Sequence, residues 1–177
     1  MTADDHLSGP RELLLGATVR SVGRAADMGV IECADRDGGV IGVHVQCPFR
    51  ILQGGHLLLG SRDMRFARRG AGTAAFERFE TVYDARALTL NGILERLRPP
   101  VTDVVLGDAG SLVVRCRADL RVEAFPDCSG SVEAWRVFLR GGPHTGFPDD
   151  VVRGETTPPR DPLRPGAEAD TGPEGTP

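Results

Sequence analysis

The sequence predicts an α+β fold: two antiparallel β-meanders flanking one amphipathic helix, in a single domain with a disordered C-terminal tail. Three observations carry that expectation. Short alternating apolar–polar segments recur on both sides of the chain's middle, joined by Gly- and Asp-rich turns too short for a parallel crossover. Between them, one longer segment repeats its apolar residues near the 3.6-residue helical period. Beyond residue 140 the composition shifts, and eight of the thirteen prolines fall in the last 37 residues. Such a stretch buries too little apolar surface to offset its ordering entropy. The expected organisation is a flexible 1–10, a domain over 11–147 and a disordered tail over 148–177.

The elements follow in order. Ala17, Val19 and Ser21 set one face of a first strand, "MGVIEC" (28–33) gives a second, and "ADRDGG" supplies the turn to a third, "VIGVHVQC" (40–47). "RILQGGHLLLG" reads as strand, Gly-Gly turn and strand, and "RRGAGTAA" (68–75) as the loop between two halves. A helix is expected over 84–97, with Ala85, Leu88, Ile93, Leu94 and Leu97 on its apolar face. Asp84 is its expected N-cap, Arg96 and Arg98 suit its C-terminal dipole, and Pro99-Pro100 stops it. Gly92 inside it costs ~1 kcal/mol against alanine. Strands return at 101–106, 111–116, 120–125 and 133–139; in the last, Trp135, Val137 and Leu139 alternate with Arg136, Phe138 and Arg140. Each half has a strand ending in cysteine (VIEC, VVRC) and an aromatic–arginine pair, Phe49-Arg50 and Trp135-Arg136. The expected source of that likeness is the general form of antiparallel hairpins, with duplication as the alternative, because no long period repeats.

Composition excludes several chemistries. Every basic residue is arginine, so a Schiff-base lysine and a P-loop lysine are both missing. The net charge of −4 belongs to the ends, since 11–147 holds 18 arginines against 16 acids. That body is neither a strongly basic nucleic-acid binder nor an acidic tail. No apolar run approaches the ~20 residues that cross a bilayer, and a cytoplasmic location is expected. Cys33, Cys47, Cys116 and Cys128 match no zinc spacing and read as reduced thiols; no cofactor fingerprint is present.

His44 and Cys47 invite a nucleophile–base reading. Strand alternation puts Ile41, Val43, Val45 and Cys47 on one face and Gly42, His44 and Gln46 on the other, so the pair fails on geometry. Cys47 then belongs to the core. The remaining polar candidates are His44, Gln46 and Arg50, then Asp127, Glu133 and Arg136 in the loop "FPDCSGSVEAWR", and Arg62, Arg65, Arg68 and Arg69 as a weaker anion-binding set.

"AADM", "VHVQCPFRIL", "GSRDM" and "VEAFPDCSGSVEAWRVF" together resemble a family of small uncharacterised proteins of GC-rich bacteria such as actinomycetes, over residues 14–147. In that family the third strand reads L-H-x-Q-C-P-W-R and the late motif V-F-P-D-x-S…E-x-W-R-x-F. Here Phe49 replaces the tryptophan and Ala124 precedes "FPD". The resemblance implies one compact domain and no particular activity; His44, Gln46, Arg50, Asp127, Glu133 and Arg136 fall at its motif positions.

The expected function is a non-enzymatic binding protein of immunity or accessory type, acting on a protein partner. The alternative is a small enzyme or ligand-binding protein of specialised metabolism, with a pocket between helix 84–97 and the sheet and His44, Asp127 and Glu133 as acid–base groups. A third reading is anion or nucleic-acid contact through the 62–69 arginines.

Overall fold

The computed structural model describes residues 8–148, and within them alternation of apolar and polar side chains forms ten strands. They are β1 (Thr18–Ala25), β2 (Met28–Ala34), β3 (Val40–Val45), β4 (Phe49–Gln53) and β5 (His56–Gly60), then β6 (Val101–Leu106), β7 (Leu112–Cys116), β8 (Leu120–Ala124), β9 (Trp135–Leu139) and β10 (His144–Phe147). Helix α1 (Ser8–Leu14) precedes β1, and α2 (Val82–Leu97) precedes β6. The fold is α+β with antiparallel pairing throughout. The tail expected over 148–177 lies outside the described residues apart from Pro148. Of the loose start expected over 1–10, residues 8–10 are helical instead, because α1 buries Leu14 completely and anchors on β6 through Arg11.

The meanders do not stay in separate sheets. One sheet has the order β1-β2-β3-β9-β10, the other β5-β4-β8-β7-β6. Each half builds three strands of one sheet, crosses over, and completes the opposite sheet with a hairpin. The inner faces share one apolar cluster, with Ile31, Ile41 and Trp135 from the first sheet and Ile51, Val114 and Val122 from the second. The two sheets also touch where β1 and β6 begin, through Val101 N–H to Ala17 O at 2.7 Å and Gly16 N–H to Val101 O at 2.9 Å.

This route is a topological repeat, and its details repeat too. Pairing in the first strand of each half is interrupted at the same place, between Val19 and Ser21 and between Val101 and Asp103. Cys33 faces Val19, and Cys116 faces Val101. Phe49 enters opposite Ala124, and Trp135 opposite Val45. Hairpin resemblance alone, the expected explanation, does not account for matched crossovers and matched irregularities. The irregularity also changes β1's inner face, where Val19 and Val22 are buried and Ser21 is not.

Two details of α2 differ from expectation. Thr81 is the N-cap; Asp84 sits three residues later and closes a capping box. The buried face is Tyr83, Ala87, Leu90 and Leu94, whereas Leu88 is 76% exposed and Leu97 45%. Asp84 is held for a tertiary partner, Arg24. That guanidinium, 1% exposed, grips the carboxylate at 2.7 and 3.0 Å and donates to the Phe76 and Ala26 carbonyls. It lies 4.5 and 4.2 Å from the centres of the Phe76 and Phe79 rings, which pins the 67–80 connection onto β1.

Candidate functional site

β3 and β9 pair with His44 opposite Arg136 and Gly42 opposite Phe138, on the face turned away from the core. Gly42 has no Cβ because the Phe138 ring lies where one would go, at 2.5 Å. Phe138 meets His44 edge-on at 4.8 Å and His144 at 4.4 Å, and the Arg136 guanidinium lies 5.9 Å from its ring centre. Arg136 Nε and Nη2 both reach His44 Nδ1, at 3.2 and 3.1 Å. His44 is therefore an acceptor at Nδ1. Burial, and then the Arg136 charge, hold its pKa below the ordinary histidine value.

The network continues past the end of β3. Arg136 Nη1 lies 3.6 Å from Glu133 Oε1, which also accepts from Gln46 Nε2 at 2.8 Å. Four predicted residues, His44, Gln46, Glu133 and Arg136, thus form one connected group.

The other predicted residues lie apart from it. Arg50 is on the second sheet, bound to buried Glu123 at 2.6 Å and 5.1 Å from the Phe125 ring centre. Arg121 Nε is 2.6 Å from the other Glu123 oxygen but lacks hydrogen-bond alignment. Arg50–Glu123 occupies the place in the second sheet that Arg136–His44 occupies in the first. Arg68 is paired with Glu80 at 3.2 Å and Arg69 sits in an exposed turn, so the four loop arginines do not act as one patch.

Arg62, Arg65 and Asp127 instead line a cleft of about 610 Å³, with Gln46 and Asp27. It lies where the chain crosses from β3 to β4, beside a 3-10 turn over Ser61–Arg65. Cys47 and Met64, both buried, also line it. Segments from "AADM", "HVQCPFR", "GSRDM" and "FPDCSGS" thus meet at one place. Desolvation pushes the Cys47 thiol up to about 11, and buried Cys33 and Cys116 up to about 12, so these three sulfurs stay protonated near neutrality. Cys47 and His44 lie on opposite faces, as alternation requires.

Sequence reasoning set Phe138 on the same side of its strand as Arg136 without counting it among the site residues, and missed His144 on the outer face and Ser61 in the cleft. Phe138 carried a signal, since it alternates with buried Trp135 and Val137; His144 lay in a strand too short to notice. Between α2 and the sheets, the expected pocket position is packed with Tyr83, Ala87, Leu90 and Leu94, and Tyr83 donates its hydroxyl to Gly23 O at 2.8 Å. Among the described residues, no cluster of three or more His, Cys, Asp or Glu could hold a metal ion, and no helix is long and apolar enough to cross a membrane. No protein-family model, curated protein or solved structure matches this chain.

Proposed function

We propose that the protein works by binding another protein through the outer face of its first sheet, with His44, Phe138, Arg136 and His144 at the centre. The observation that carries this reading is the mutual fixing of these groups. Arg136 is held by His44 and Glu133, Glu133 holds Gln46, and the Phe138 ring is seated on Gly42 between two imidazoles. Arginine and aromatic side chains dominate binding energy at interfaces, and a face already ordered loses less entropy on association. The same contacts weaken the acid–base alternative. His44 already accepts from Arg136, Glu133 is shared between two donors, and Asp127 lines the cleft instead.

Native mass spectrometry of the protein purified gently from its own host tests the reading. A stoichiometric second polypeptide is expected, and His44→Ala with Arg136→Ala should weaken that complex at least about tenfold while the variant keeps a cooperative melting transition. A chain that travels alone, or a complex indifferent to the double variant, would overturn it.

A further inference from the structure

The cleft beside the Ser61–Arg65 turn is a feature of one half only. In the topological repeat, Gly146 faces Arg136 as Gly60 faces Arg50, so Phe147 takes the place of Ser61. In the second half that place is filled. The Phe147 ring packs where a Cβ on Gly110 would sit, and stacks on Trp135 at 6.5 Å and 22°. Ser61 offers only a hydroxyl, which accepts from Phe49 N–H at 3.1 Å. The small side chain leaves open in the first half what an aromatic ring closes in the second.

The charges around this opening are unspent. Arg62, Arg65, Asp27 and Asp127 line it, two of each sign. Among the described residues none of the four makes an ion pair or a side-chain hydrogen bond, although nine other carboxylate–arginine contacts form across the molecule. Arg62 and Arg65 present planar donor forks suited to a carboxylate or phosphate, and Asp27 and Asp127 present acceptors suited to an ammonium. Met64 and Cys47 supply a polarisable apolar contribution to the lining. The volume of about 610 Å³ lies within the usual range of small-molecule sites.

We propose that this cleft binds a small zwitterion, an anionic head joined to an amino group as in a free dipeptide, with Arg62 and Arg65 on the anion and Asp127 and Asp27 on the ammonium. The head is a carboxylate or a phosphate, and the cleft adjoins the partner-binding face of the first sheet through Gln46, which lines the one and hydrogen-bonds Glu133 of the other.

Isothermal titration of the full chain with glycyl-leucine and with O-phosphoethanolamine tests it, the better ligand identifying the head group. Saturable binding by at least one is expected. N-acetylation of the dipeptide, which removes its ammonium, should weaken binding about tenfold, as should Asp127→Asn or Arg65→Gln. Ser61→Phe, which copies the closed half, should abolish binding. If that variant does not fold, Arg62→Gln with Arg65→Gln decides the matter from the surface. No saturation by either compound up to roughly 10 mM, or binding unaffected by the charge variants, would overturn the proposal.

Discussion

His44 shows how a single residue is read differently in sequence and in space. Alternation placed it on the solvent side of β3, and that side proved to be a packed polar face where Arg136 occupies its Nδ1. Its pKa is lowered, first by desolvation and then by the Arg136 and His144 charges. The unfolded chain therefore takes up this proton before the folded one does. The contribution of His44 to stability is complete above its unfolded value of about 6.5 and is lost as pH falls through that value toward the folded one. Melting temperature should accordingly decline between pH 7 and pH 5, and His44→Gln, which keeps an acceptor but cannot titrate, should flatten that decline. An unchanged slope in the variant would show that the Arg136 contact does not disfavour protonation. Asp84 acts in a lower window. Burial alone would raise its pKa, but hydrogen bonds from Arg24 and Thr81 outweigh burial and lower it, so its stabilisation disappears only below about pH 4.

Among the elements, α2 is instructive because its existence was legible and its orientation was not. The 3.6-residue period, the proline stop and the capping residues all identify a helix, yet Ala85–Leu88 and Ala87–Leu90 satisfy that period equally well. The choice between them is made by β1 and the Ser61–Arg65 turn, against which Tyr83, Ala87, Leu90 and Leu94 pack. Propensity cannot supply that information. Asn91 completes the docking: its carboxamide oxygen accepts from Val22 N–H at 2.7 Å, and its nitrogen donates to Val22 O at 2.9 Å, beside the irregularity in β1. Arg11 of α1 donates to Val104 O, the matching position in β6. Each helix thus steadies the first strand of the other half. Asn91→Ala leaves two part-buried backbone groups without partners and should cost about 2–3 kcal/mol in urea denaturation. A loss below about 0.5 kcal/mol would mean that water replaces the carboxamide without penalty.

For the molecule as a whole, local sequence gave nine strands with small errors at their ends and missed β10, four residues long and placed where composition was already changing. What it could not give was the partner of each strand. Turn chemistry joins β3 to β4 and β8 to β9 only in sequence. Phe49 and Trp135 decide the crossings, because each ring belongs in the shared core and carries its strand into the opposite sheet. The cleft was hidden for the same reason: Asp27, Gln46, Arg62 and Asp127 come from four segments that only the crossing brings together. The exchange makes the halves interdependent. A chain divided within 68–75 should yield two pieces that stay unfolded as separate monomers and regain native circular dichroism when mixed, since each alone leaves open sheet edges. A piece that folds alone as a monomer would refute that interdependence.

Trp135, the single tryptophan, stands at this crossing. It belongs to the second half and sits in the sheet begun by the first. Its indole is fully buried, donates to Gly110 O at 2.7 Å, and rests against Phe147. The protein therefore contains one fluorophore whose colour depends on both halves being home. Blue emission reports the exchanged hairpin in place, and a shift to the red reports its release, with no added dye and no second emitter of its kind to obscure the signal.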